Sequence, residues 1–166
     1  MSDVALDILK EAILLERRGR AFYQKVAAQA TNEAVREFFE TMVVEENHHM
    51  DILSAQLKSY RANHEFAPLD AADTQSQPLP DLVLSDEVKQ QLATADFEAA
   101  AISAAMLMEE RAVKLYGERA VATDDAKEKD LYQWLSNWEK GHLSFLADLD
   151  KDLKAAIWDD NQFWPL

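Results

Sequence analysis

The sequence predicts an all-α fold, a four-helix bundle, and three observations carry that expectation. Four long segments place apolar residues at three- and four-residue intervals rather than in strict alternation, which is the period of a helix face. The same segments are rich in Ala, Leu, Glu, Lys and Arg, the strong helix formers. Only three Gly and four Pro occur in 166 residues, too few for a sheet-rich fold with many tight turns.

The first helix is expected over residues 4–30 and the second over 32–60. Only Thr31 and Asn32 separate their apolar patterns. Both are N-cap residue types, so the junction reads as one helix ending and the next starting at once. Helices 97–122 and 125–157 are separated in the same way by Thr123, Asp124 and Asp125. Junctions this short make antiparallel neighbours, so the chain reads as helical hairpins 4–60 and 97–157. Between them, residues 61–96 contain Pro68, Pro78 and Pro80 and a polar run, which a single helix does not tolerate. A short helix is expected inside it at 85–93. A helix of about 28 residues is about 42 Å long, and this segment has ample reach to span it as a long crossover. The apolar tail 158–166, with Trp158, Phe163 and Trp164, is expected to dock on the bundle or on another subunit. Residues 1–166 thus read as a single domain.

Composition excludes several functions. The chain has no Cys, which removes disulfides, thiolate catalysis and Cys-ligated zinc or iron centres. The net charge is −14, with no basic stretch, so neither nucleic acid nor an anionic membrane is an expected partner. The longest uncharged run, 99–108, is about half a membrane span. With no signal-peptide pattern at the N-terminus, a cytoplasmic location is expected. The acidic balance favours a cation as partner.

The chemistry lies in an internal repeat at an offset of 93 residues. Glu16 falls on Glu109, Tyr23 on Tyr116, Glu46 on Glu139 and His49 on His142. Glu16 and Glu46 lie 15 residues on either side of Thr31, and Glu109 and Glu139 lie 15 on either side of Asp124. Folding each hairpin at its junction therefore brings its two carboxylates to one height. They also face inward. Val35, Phe39, Met42, Glu46, His49, Leu53 and Tyr60 make one stripe, and Leu131, Leu135, Glu139, His142, Leu146, Leu149 and Leu153 make its counterpart. Leu9, Ile13, Glu16 and Tyr23, and Ile102, Ala105, Glu109 and Tyr116, complete the set.

Four carboxylates in one apolar layer repel one another and resist ionisation. The layer is costly unless protons or metal ions neutralise it. Two divalent cations balance four carboxylates, and two imidazoles complete the donors without altering that balance. Glu-x-x-His at i, i+3 puts both groups on one helix face about 4.5 Å apart in rise. A Glu from each of two helices and a Glu-x-x-His from each of the other two is the arrangement of ferritin-like di-metal proteins.

The stretches LLERRGRAFYQKVA and EENHHMDIL, with their repeats LMEERAVKLYGERA and WEKGHLSFL, resemble the rubrerythrin-like branch of the ferritin-like superfamily over nearly the whole chain. The resemblance implies a ferritin-like bundle with two iron ions. Glu16 with His49 would hold one and Glu109 with His142 the other, while Glu46 and Glu139 bridge. It implies oxidation of Fe(II) by O2 or H2O2, by peroxide reduction or ferroxidase action. The sequence departs from the family pattern at Ala112, where rubrerythrins carry a further carboxylate, and in having no rubredoxin-type Cys centre. Its six ligands are closer to a bacterioferritin-type ferroxidase set. Peroxide reduction would then draw on an external electron donor. The alternatives are an iron-storage subunit and a module stabilised by Zn or Mn without turnover, since first-row ions compete for such ligands. A homo-oligomer, a dimer, is the expected assembly.

Other polar residues carry plainer expectations. Tyr23 and Tyr116, two turns beyond Glu16 and Glu109, are candidates for hydrogen-bond donors or one-electron relays, with ordinary core packing as the alternative. His48 is expected at a helix–helix edge and His64 on the surface. Glu45 and Glu110 are expected on solvated faces. Trp134 and Trp138 are expected in the core or a subunit contact.

Overall fold

The computed structural model describes residues 3–71, 73 and 96–159, with side chains to residue 155. The expected helix at 85–93 and the tail beyond 159 lie outside the described residues, as do the side chains of Ile157 and Trp158. Four helices form an all-α bundle: α1 (Val4–Gln29), α2 (Glu33–Asn63), α3 (Asp96–Ala122) and α4 (Ala126–Asp159). α1 packs along α2 and α3 along α4, with a lighter contact between α1 and α3.

The helix ends follow local chemistry. Asp3 caps α1 by accepting a hydrogen bond from the Leu6 amide at 3.3 Å. Asn32 caps α2 in the same way through the Val35 amide at 3.3 Å. Asp125 accepts from the Glu128 amide at 2.9 Å where α4 begins. α2 runs past the expected residue 60 and stops at His64, whose φ of 55° is left-handed. Beyond it the chain turns back on α2. Gln56 pairs with both the amide and the carbonyl of Ala67, at 2.9 and 3.1 Å, and Phe66 is buried.

Two apolar clusters fill the bundle. One, near the α1–α2 turn, gathers Tyr23, Val26, Phe38, Phe39, Met42, Ile102 and Leu146. The other, toward the α3–α4 turn, gathers Leu9, Leu53, Phe66, Tyr116, Leu131, Tyr132 and Leu135. Each places one of the repeat-related tyrosines next to the buried polar layer that lies between the clusters.

Candidate metal centre

Helix periodicity delivers each group to the layer. Glu16 on α1 and Glu109 on α3 are buried, one per helix, while Glu46 and His49 on α2 and Glu139 and His142 on α4 are buried at i, i+3. All six are at most 3% exposed, so no bulk water solvates their charges.

Their donor atoms converge as two overlapping groups. Glu16, Glu46, His49 and Glu139 form one, and Glu46, Glu109, Glu139 and His142 the other, with ligand atoms in each within 4.8 Å of one another. Glu46 and Glu139 belong to both. His49 turns Nδ1 inward, 3.2 Å from Glu16 Oε2 and 2.9 Å from Glu139 Oε1. His142 also turns Nδ1 inward, 3.0 Å from Glu139 Oε2 and 3.7 Å from Glu109 Oε1. The two imidazoles stack at 6.1 Å between centroids.

The tyrosines cross between hairpins. Tyr23 of α1 donates its hydroxyl proton to Glu109 of α3, and Tyr116 of α3 donates to Glu16 of α1. Burial, reinforced by the neighbouring carboxylates, pushes both phenols well above their usual range, so they are fixed as donors. Core packing and hydrogen bonding are therefore both realised: each ring joins an apolar cluster while its hydroxyl serves a carboxylate.

Without metal, the layer is held by protons. Burial and the carboxylates around it push Glu46 well up. Burial and Glu139 push Glu109 to about 8. Glu139 goes the other way: burial opposes its charge, but His49 and His142 outweigh that and hold it well below the carboxylate range. Burial also opposes charge on His49, yet Glu139 and Glu16 raise it to about 10. His142 is raised too, since its carboxylate partners outweigh its burial. A bound metal ion would take the place of these protons with positive charge that needs no titration. The donor set fits hard-to-borderline divalent ions, being carboxylate oxygen and imidazole nitrogen. Glu139 Oε1, buried 2.9 Å from His49 Nδ1 and with no well-directed hydrogen bond among the described residues, has a lone pair that such an ion could take up.

Between α1 and α3 a small cavity of about 10 Å³, room for about one water, reaches Glu16, Glu46, Glu109 and Glu139. Gly19 and Ala112, equivalent under the repeat, line it. A Cβ at Gly19 would sit 3.4 Å from the Glu46 carboxyl carbon, so the bridging-position carboxylate packs directly against this backbone.

The structure corrects one expectation and adds detail to others. Glu45 is not on a solvated face; its side chain is 11% exposed and meets His142 Nε2. Trp138 donates its indole N–H to Glu45 at 2.9 Å and lies 3.1 Å from His142 Nε2. The reason is helix rotation: about 100° from the inward Glu46, position 45 turns toward α4, where Trp138 and His142 meet it in place of water. Matching position 45 to position 138 in the repeat would have flagged it, because a charged residue there faces an indole. Glu110 is exposed, as expected. His48 sits outside both groups, with Nε2 3.3 Å from the Asp73 carbonyl and its ring edge-on to Trp134. His64 is at the surface.

The fold and this cluster define the class, a ferritin-like bundle whose buried carboxylates and imidazoles are compatible with a metal site. Comparison with family models supplies the family itself: the rubrerythrin model matches residues 7–150, and the chain belongs to the rubrerythrin family, whose members generally bind two irons. No curated protein and no solved structure gives a match. No helix among the described residues is long and apolar enough to cross a membrane.

Proposed function

We propose that this chain is a di-iron carboxylate oxidoreductase that oxidises Fe(II) with O2 or H2O2. The observation that carries the reading is the sharing of Glu46 and Glu139 between two four-donor groups. Two separate mononuclear sites would have no use for common carboxylates, whereas a pair of ions needs groups that span both. In this reading Glu16 and His49 would hold one ion, Glu109 and His142 the other, and both would share Glu46 and Glu139.

Bound iron would supply two electrons, which with two protons take O2 to H2O2 or H2O2 to two waters. The chain's own residues do the rest. Tyr23 and Tyr116 orient Glu109 and Glu16 and are the nearest phenolic protons to the layer. The apolar clusters above and below exclude water. The cavity at Gly19 and Ala112 admits only a very small molecule, which suits O2 or H2O2. Reduction of peroxide over many turnovers would draw on an external donor.

The test is metal analysis of the purified protein, then an anaerobic Fe(II) titration, then mixing with O2 and with H2O2 under absorbance. The reading expects about two irons per chain and a rapid near-ultraviolet change with one of the oxidants. Zinc or manganese at that stoichiometry, with no spectral change after iron replacement, would overturn the redox function and leave a metal-stabilised module. Many more than two irons per chain in a large assembly would show an iron-storage subunit instead.

A further inference from the structure

The two imidazoles are alike on the side facing the carboxylates and unlike on the other. With Nδ1 turned toward the carboxylates, Nε2 is the nitrogen left to carry an N–H once Nδ1 gives its lone pair to a metal. His142 Nε2 pairs with the Glu45 carboxylate, which also accepts the indole N–H of Trp138 at 2.9 Å, and that indole nitrogen lies 3.1 Å from Nε2. Among the described residues, His49 Nε2 is buried with no hydrogen-bond partner. Its ring instead stands edge-on to Trp138 and Trp134, at 5.5 and 5.7 Å between centroids. Glu45 and Trp138 occupy one position of the 93-residue repeat, each just before a bridging-position carboxylate. That position reaches the imidazole of the opposite hairpin, bringing a carboxylate to His142 and an indole ring, perpendicular to the imidazole, to His49.

We infer that Glu45 is a positioning residue that makes the two metal positions unequal, so that the ion held by Glu109 and His142 binds first and more tightly than the ion held by Glu16 and His49. This rests on the di-metal reading above. A carboxylate behind a metal-binding imidazole fixes its tautomer and ring orientation and makes the inward nitrogen a better donor, and losing such a partner costs about 10–100-fold in metal affinity. Among the described residues no acceptor stands behind His49, so it gains none of this from them. The bundle therefore carries a duplicated ligand set with a single-copy support, and the duplication alone would have produced two equal positions.

The test is an anaerobic Co2+ titration of the full chain, followed by visible absorbance and calorimetry. The wild type should take up two ions in two steps separated by about 10–100-fold. Glu45→Gln, which keeps an acceptor for Trp138, should weaken the first step by that factor and leave the second in place, merging the two. A merely structural role would weaken both steps together, and that result would overturn the inference. So would two ions entering the wild type in one step. Absence of any Co2+ uptake by the wild type would overturn the di-metal reading as well, which separates the two failures. If Glu45→Gln does not fold, His142→Ala and His49→Ala decide: the tight step should vanish in the first and survive in the second, and the reverse would overturn the proposal.

Discussion

The α1–α2 and α3–α4 hairpins bring the same side-chain types to the centre but hold their turns by different means. At the first turn, Glu98 of α3 accepts hydrogen bonds from the Thr31 amide and hydroxyl, at 3.1 and 3.0 Å, so the other hairpin helps to secure a turn that Arg36 of α2 also holds by donating to the Ala30 carbonyl at 3.0 Å. The second turn is secured from within its own hairpin: Arg119 of α3 makes two 2.7 Å bonds to the buried Glu128 of α4. The contrast recurs at the metal layer, where the ligands match and the residues behind them, Glu45 and Trp138, do not. The repeat keeps what faces the centre, where each group meets several others. The periphery was free to diverge, since each position there answers to only one or two neighbours.

The largest effects should come from the two carboxylates common to both groups. Glu46→Gln and Glu139→Gln should each abolish paired-metal binding, read as loss of the two-ion stoichiometry in a Co2+ titration. In metal-free protein they should move in opposite directions. Glu46 resists ionisation because it is buried among carboxylates, so a neutral amide there raises the melting temperature. Glu139 balances both imidazoles, so its loss leaves His49 and His142 with less counter-charge and lowers it. Equal shifts would break the assignment of unlike roles to these two residues.

The turns should differ next. Glu128→Ala leaves the Arg119 guanidinium, itself only 15% exposed, without its partner, and should cost about 3 kcal/mol in urea unfolding. Glu98→Ala removes one acceptor from a turn whose donors reach solvent, and should cost about 1 kcal/mol. A larger loss at Glu98 would mean that the contact between hairpins, rather than each hairpin alone, secures the fold.

pH sharpens the comparison further. His49 is raised in the metal-free fold from 6.5 to about 10, and Glu109 from 4.5 to about 8. A raised group stabilises fully below its unfolded value and loses that contribution as pH climbs through its folded value. The melting temperature of metal-free protein should therefore fall between pH 6.5 and 9. Over the same range metal should bind more tightly, with protons released in a weakly buffered titration, because the ion displaces them. A melting temperature that rises with pH would contradict the charge pattern described for the layer.

The smallest effect should be at Gly19. Gly19→Ala repeats what Ala112 already does on α3 and should stabilise the helix by about 0.5–1 kcal/mol. The new methyl would lie in ordinary contact with Glu46. Gly19→Leu should displace Glu46 and lower metal affinity, measured in the same titration.

Much of the architecture was legible in the sequence because helix periodicity is local. The four helices, both short turns and the caps at Asn32 and Asp125 follow from spacing and residue type, and the largest shift of a helix end is the three residues by which α2 runs past residue 60. The meeting of Glu16, Glu46, His49, Glu109, Glu139 and His142 was legible for a second reason. Equal distances from the turns place the groups at one level, and the apolar stripes decide which way they face. Glu45 was misread because a position beside the seam can face water or the next helix, and spacing along one helix does not distinguish the two. Glu98 and Glu128 gave no signal either, since their partners, Thr31 and Arg119, lie on other elements.

The sequence by itself determined the class of fold, the height of the polar layer and the identity of the residues that line it, all properties of one helix or one hairpin taken alone. Tertiary structure decided the pairings between helices: Tyr23 with Glu109, Tyr116 with Glu16, Glu45 with His142 and Trp138 with His49. Those depend on the rotation and crossing of packed helices, which arise from the fit of many side chains at once.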